Sequence, residues 1–515
     1  MKGRLISSPP HVLVLEILIG APGRGWYDRI VKLPSLYGIM AQAVAVWAED
    51  LGCSVTYRTY TGNERVPDLL SGEWDVAFLS VYTRAAYAAY AVSRLLRASG
   101  AVTALGGPHA MAYPEDSARH FDYVLGFTDR DTVARVVNER RPAGQAPGLR
   151  LAAARHPDRL PSLRRRRRFL DAARVKARFI RVIPMLSSCG CPFECEFCSD
   201  ANVDYQPLPL SDVEEDLRYA AESYPNALLI WLDPNFGVQF DPLMDVIDRA
   251  GNGSVRFGAQ SSLSFLSSTR LARLARARFE VVVPGLESWF SCGAKLGGVG
   301  RPKGRDRVRE AATSVNEILS AIPYVQVNFV FGLEGEPLGE GFELTEDFVR
   351  AVPAAWPTFN LITAWGVSSP LSRRLRTEGR ILPVPFPLLD QKSCSNIVRP
   401  DGTVVDLYRG LAHLEERAFG VLRSAQRALG ARRWEARIIN LVRGRGAEMR
   451  ERLQWHRRMV HLLEHDREFR GFFEGDPVSI PVELRERALR ATGPFVDLLP
   501  SETLDELRTG TVVIS

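Results

Sequence analysis

Residues 187–200 read SSCGCPFECEFCSD and place four cysteines within ten positions of a 515-residue chain that has only seven in all. Cys191, Cys195 and Cys198 stand as Cys-x3-Cys-x2-Cys. A structural zinc site would want a fourth Cys or His at a paired spacing, and no second Cys-x2-Cys or His-x3-His follows nearby. A disulfide framework is not indicated either: Cys53, Cys292 and Cys394 are scattered. The first residues also lack the apolar length and cleavage pattern of a secretory signal, so a reducing, cytoplasmic setting is expected. Three thiolates on one tight loop can each hold one iron of a cubane 4Fe-4S cluster, which leaves the fourth iron open to a substrate or cofactor. Cys189 lies outside this spacing and reads as a spare small residue, because a fourth protein ligand would close the open iron.

The elements that must position this loop alternate between strand and helix. From residue 176 to about 395, six apolar runs (FIRVIPMLSS, ALLIWLDPNF, SVRFGAQSSL, FEVVVPGL, YVQVNFVFGL and TFNLITAWG) are separated by helical stretches. Six parallel strands with intervening helices predict a full or partial (β/α)6 barrel, with its chemistry at the carboxyl ends of the strands. The cysteines directly follow the first of those strands. Residues 1–140 repeat the same alternation and predict an α/β, doubly wound, Rossmann-like domain. The stretch 141–175, rich in Pro, Gly and Arg, reads as a linker. From 396 to 515 the strand signal gives way to amphipathic helices, so a helical C-terminal domain is expected.

The net charge of +6 rests mainly on arginine, with the densest run at Arg164–Arg168. No aromatic residues interleave with that run as stacking platforms would, so it reads as a solvated linker and no nucleic-acid partner is expected. No stretch has the roughly 18 consecutive apolar residues of a membrane span. A monomer that is soluble, or peripheral at most, is expected.

The cysteine spacing, with Phe197 as the aromatic residue before the last cysteine, resembles the signature of the radical S-adenosylmethionine (SAM) enzymes. That resemblance implies an iron that chelates the methionine end of SAM, and cleavage of the sulfonium to a 5′-deoxyadenosyl radical. It extends along the barrel and implies SAM contacts from Phe197, Asp233, Gln260, Ser262, Glu287 and Ser288. Asp233 in WLDPNF would accept from the methionine amino group, Gln260 and Ser262 in FGAQSS would meet ribose or carboxylate, and Glu287 and Ser288 belong to VPGLESW. A zwitterionic cofactor with hydroxyls needs such acceptors. In FVFGLEGE, Glu334 replaces the family's usual proline. Asp233 and Glu287 could instead serve only as helix caps.

The N-terminal stretches DVAFLSVYT and ALGGPHAMAYPED are similar to the cobalamin-binding domain found upstream of the barrel in one radical SAM subfamily. The similarity implies that Ser80, Tyr82, Gly106, Gly107 and Pro108 border cobalamin, the glycines by permitting close backbone approach. One departure stands out. The Asp-x-His-x-x-Gly motif that supplies a lower cobalt ligand is absent, and the corresponding loop reads IGAPGRGWYDRI; two readings follow, a domain that has lost its cofactor or, as is expected here, cobalamin bound without a protein ligand, with Trp26 or Tyr27 covering its lower face.

The implied cofactors are a 4Fe-4S cluster, SAM and cobalamin. The implied activity is transfer of a methyl group to an unactivated or aromatic carbon of a small molecule, through methylcobalamin and a 5′-deoxyadenosyl radical. A specialised metabolite, as in antibiotic biosynthesis, is the first expectation for the substrate and a tetrapyrrole or hopanoid-type lipid the second. The electron would come from an external flavodoxin- or ferredoxin-type donor. Two other readings stay open: a non-methylating rearrangement or oxidative cyclisation on the same architecture, and a non-catalytic Fe-S electron-transfer protein.

Overall fold

A continuous apolar run such as VLVLEI can be buried on both faces only inside a parallel sheet covered by helices, and β1 (His11–Ile17) is buried from Val12 onward. The structure is a computed structural model that describes residues 9–22, 37–140, 148–174, 181–250, 253–290, 304–399, 402–476 and 479–511. β1 is joined by β2 (Ser54–Tyr60), β3 (Val76–Val81), β4 (Val102–Gly106), β5 (Tyr123–Leu125) and β6 (Leu149–Leu151) in the order β2-β1-β3-β4-β5-β6. All pairs are parallel. The chain reverses its direction of travel across the sheet between β1 and β3, and in doubly wound sheets ligands bind at the carboxyl side of such a point.

The stretch expected to be a linker corrects the sequence reading. It supplies β6 to the first sheet and a helix at Leu163–Arg174. Proline, glycine and charge hid the pattern, yet arginine is a good helix former, and Leu163, Arg166, Phe169, Leu170 and Ala173 make one buried face at helical spacing. Within the arginine run Arg166 is buried, donating to Pro161 O at 2.8 Å and Gln42 Oε1 at 3.3 Å and pairing with Asp216 at 3.3 Å. The other four arginines are exposed. The run is therefore a bracket between the helices Ile39–Asp50 and Leu210–Ser223, rather than a solvated tether.

The second sheet starts at β7 (Val182–Met185). β8 (Ser188–Cys189) and β9 (Gln206–Pro207) form a small antiparallel pair beside it. β10 (Leu228–Trp231), β11 (Arg256–Ser262), β12 (Phe279–Glu287), β13 (Tyr324–Phe331) and β14 (Trp356–Leu361) complete the sheet in the order β14-β13-β12-β11-β10-β7. Among the described residues β7 and β14 do not pair, so the barrel is partial. Burial alternates along β13, with Val325, Val327, Phe329 and Phe331 buried and Gln326, Asn328 and Val330 half-buried. Phe329 packs on Phe348 of an outer helix, ring centroids 5.5 Å apart, which leaves the half-buried set on the inner face.

Helices from Val404 to Glu474 follow. The last ones, Val482–Thr492 and Ser501–Thr509, return to the first sheet, where Ala21 N donates to Ala491 O at 2.8 Å and Tyr60 meets Phe495 edge-on at 5.0 Å. Among the described residues, no helix is long and apolar enough to cross a membrane.

Candidate active site

The cysteine loop leaves β7 at its carboxyl end. Cys191 and Cys195 are buried and Cys198 is half-buried. Backbone bonds shape the loop: Cys191 N donates to Val203 O at 3.4 Å and Cys198 N to Cys195 O at 2.8 Å. Gly190 between the thiols has φ +67°, and a Cβ there would stand 2.3 Å from Asp204 O, so only glycine permits this crossing of strands. Leu371 N donates to Glu196 O at 2.9 Å, and Phe197 packs against the small apolar cluster of Leu333, Ile362, Ala364, Leu371, Leu375 and Ile397 beyond the ends of β13 and β14. Among the described residues no three Cys, His, Asp or Glu side chains converge on one point as ligands of a single ion would. Thiolates that each take a different iron of a cubane need no such convergence, and three on one backbone-braced loop at a barrel edge fit that donor set. Cys189 lies in β8, paired with Gln206, and is buried, which pushes its thiol up to about 12.

Asp233 is 1% exposed and its acceptors are already engaged. It accepts from Ser187 N at 3.1 Å, Ser187 Oγ at 2.5 Å and Ser188 Oγ at 2.7 Å. Burial raises its carboxyl above the usual range while the serine hydrogen bonds pull it back. The side chain thus ties the end of β10 to the root of the cysteine loop, and does not cap a helix. Gln260 is exposed and donates to Asp233 O at 3.1 Å. Ser262 is buried in a bond from Asn235 Nδ2 at 2.8 Å, and Asn235 Oδ1 accepts from Ser261 Oγ and Ser262 N, both at 3.2 Å. Glu287 ends β12 with φ +61°, a strained backbone for a side-chain-bearing residue at a strand edge. Ser288 Oγ donates to Glu336 and accepts from Phe290 N at 3.0 Å. Glu334, in the place of the usual proline, pairs with Arg374 and Arg380, each at 2.5 Å.

The first sheet brings Ser80, Gly106 and Gly107 together at a slot of about 110 Å³ by the switch point. Val14, Val44, Phe78 and Leu125 give it apolar walls, and Ser80, Thr128 and His156 add polar groups. A Cβ on Gly106 would make ordinary contact with Leu125 Cβ and Leu79 O at 3.9 Å, whereas one on Gly107, at φ +88°, would press to 3.1 Å on Ser80 Oγ and Val81 N, so glycine at 107 lets the backbone run close beside the slot. A planar, mostly apolar group with a few hydrogen-bonding atoms, such as a corrin's nucleotide tail, fits it. Pro108 is exposed beside the slot and Tyr82 stands 53% exposed. Trp26 and Tyr27 lie outside the described residues.

The two sheets meet by their carboxyl ends. Val367 N donates to Ala112 O at 2.9 Å and Tyr113 OH to Ala364 O at 3.3 Å. Gly366 makes this contact possible: at φ +49°, a Cβ would stand 1.9 Å from Ala112 O. Tyr82, Met111 and Leu232 expose large apolar surface at these ends. Sequence reasoning missed Ser187, Asn235, Gly366, His156 and the inner-face Asn328 and Asn360. Only the last two carried a usable signal, as polar residues at period two inside otherwise apolar strands.

No protein-family model matches the chain. In sequence it is similar to two proteins of Chlorobaculum tepidum. Bacteriochlorophyllide d C-12(1)-methyltransferase is 22% identical over 321 residues, 60% of this chain and 67% of that one. The C-8(2)-methyltransferase is 23% identical over 313 residues, 57% and 67% of the two chains. In structure it is similar to TsrM of Kitasatospora setae, a radical SAM methyltransferase. The TsrM structure with tryptophan substrate and a SAM analogue bound gives a TM-score of 0.50 at 14% identity and covers 96% of this chain and 98% of that one. The structure with cobalamin and a 4Fe-4S cluster bound gives 0.51 at 12% identity, over 72% and 75%. The shared fold comprises both sheets and the helical C-terminal region.

Proposed function

We propose that this chain, similar in sequence to two methyltransferases and in fold to a radical SAM methyltransferase, is a cobalamin-dependent radical SAM enzyme that methylates a carbon of a small molecule. One juxtaposition carries the reading: the Cys191-Cys195-Cys198 loop ends one sheet, the Ser80-Gly106-Gly107 slot ends the other, and the two sheets meet at those ends. When bound, the cluster supplies an electron and an open coordination site, and the corrin supplies a methyl carrier.

The residues divide that work. Cys191, Cys195 and Cys198 hold iron. Asp233 fixes Ser187 and Ser188 and thereby the take-off of the loop. Gln260 and Glu287 offer polar atoms at strand ends to the amino acid and ribose of SAM, while Ser262 and Ser288 hold the neighbouring turns through Asn235 and Glu336. Ser80, Gly106 and Gly107 border the nucleotide tail, with Tyr82 and Pro108 beside it. Asn328 and Asn360, half-buried on the inner face, are positioned to orient a substrate. Closing the two sheets over the reactants excludes water and aligns them, which is the protein's share of the catalysis.

The substrate trials begin with bacteriochlorophyllide d, on which the two relatives act, and with tryptophan, the substrate bound in the fold neighbour. Small aromatic metabolites follow.

Anaerobic reconstitution with cobalamin is the test. Stoichiometric corrin in the visible spectrum and 5′-deoxyadenosine on reduction with SAM are expected. Alanine at Cys191, Cys195 or Cys198 abolishes the nucleoside, and Cys189→Ala retains it. Protein without corrin leaves the non-methylating reading in its place. Nucleoside formed by the triple alanine variant overturns the cluster assignment.

A further inference from the structure

The helices Val421–Gly430 and Trp434–Arg445 form a hairpin against the second sheet. Its outer side carries Val421, Leu422, Leu429, Trp434, Ile438 and Leu441, each between 49% and 75% exposed. Ten large apolar side chains stand exposed among the described residues and six of them are here, so the patch is not the scatter that any surface shows. Trp434, Ile438 and Leu441 fall at i, i+4 and i+7, and Leu422 and Leu429 at i and i+7, so each helix turns one apolar stripe outward. The same segment is strongly basic: residues 421–446 hold seven arginines and one acidic residue, Glu435. Two of the arginines are inner anchors, Arg427 donating to Ala355 O at 2.9 Å and Arg443 lying 4.1 Å over the Trp356 ring. Of the exposed arginines, Arg432 donates to Ser320 O and Arg433 pairs with Glu280, while Arg437 and Arg445 stand exposed beside the stripe.

We propose that this hairpin is a docking surface for an anionic lipid bilayer, into which the Leu422/Trp434/Ile438 stripe dips while the surrounding arginines meet lipid phosphates. Apolar residues with Trp on one side and arginine flanks are the make-up of helices that lie in a membrane interface. Other occupants fit worse. A two-fold dimer through this face would set arginine against arginine. Nucleic acid would meet Leu, Ile and Val where stacking platforms are needed. An acidic electron-donor protein would dock at the wrong end: the hairpin reaches Glu280, Tyr324 and Trp356, at the amino ends of β12, β13 and β14, whereas the cysteine loop lies at the carboxyl end of β7. A bilayer held at the closed end leaves the mouth between the sheets accessible.

The experiment is co-sedimentation of the full chain with vesicles of phosphatidylcholine alone and of phosphatidylcholine mixed with phosphatidylglycerol. Binding only to the anionic vesicles, weakening as salt rises, is expected. Leu422→Glu with Trp434→Glu should weaken it by at least about tenfold and leave thermal melting and reductive SAM cleavage unchanged, because both side chains are exposed and remote from the cysteines. Arg437→Gln with Arg445→Gln should lower affinity and flatten the salt dependence. Equal binding to neutral and anionic vesicles, no binding to either, or a wild-type dimer that the double glutamate variant dissolves would each overturn the proposal.

Discussion

Asp233 offers the sharpest test, because the family resemblance makes it a cofactor contact while its hydrogen bonds make it the anchor of the cysteine loop. Its carboxylate receives three buried donors: Ser187 N, Ser187 Oγ and Ser188 Oγ. Alanine strands all three, and at about 1 to 3 kcal/mol for each unsatisfied buried donor the local cost is at least about 3 kcal/mol. That cost falls at the root of the loop, with Ser188 three residues before Cys191. Asp233→Asn keeps an acceptor for the two hydroxyls but sets an amide donor against Ser187 N, so an intermediate loss is expected. The assay is iron per chain after anaerobic reconstitution, read beside the melting curve of the cluster-free protein and the SAM dissociation constant of the loaded one. Iron content and melting temperature should fall together in the order wild type, Asn, Ala. If Asp233→Ala takes up wild-type iron and melts normally but no longer binds SAM, Asp233 is a SAM ligand and the anchoring argument is wrong.

Two further perturbations probe the rest of the frame. Gly366→Ala places a methyl against Ala112 O at an unfavourable φ, and the sheet-to-sheet joint must open to admit it; methyl transfer is expected to fall much further than reductive SAM cleavage, and parallel losses would show that the joint does not couple the two halves. Glu16, buried at the end of β1 with donors from Tyr57 OH and from Gly38 N at 2.8 Å, is pushed by burial from 4.5 to about 7. Between those pH values the folded chain holds a proton that the unfolded chain has released, so stability falls as pH rises through this window, by about 3 kcal/mol at most. Glu16→Gln should flatten that part of the melting temperature against pH, and an unchanged slope would refute the assignment.

What could be read without coordinates was local. The cysteine spacing lies within ten residues, and every strand of the two sheets except β6 announced itself as an apolar run between turns, so the two-sheet plan and the place of the cysteine loop followed from the sequence, while β6 stayed hidden in the stretch rich in Pro, Gly and Arg. The arginine run failed as a reading because its helical period includes a charged residue: Arg166 belongs to the buried face only because Gln42 and Asp216, 124 and 50 positions away, are there to receive it. Distance along the chain explains the other gaps too. Asp233 meets Ser187 across 46 positions, and Gly366 matters only because the end of the helix after β4 lies against it. Composition and period decided which segments would become strands and helices. Which polar atoms faced one another, and hence whether an aspartate anchors a loop or waits for a ligand, was decided by packing, since a buried hydrogen-bonding group is satisfied by whatever partner the fold delivers.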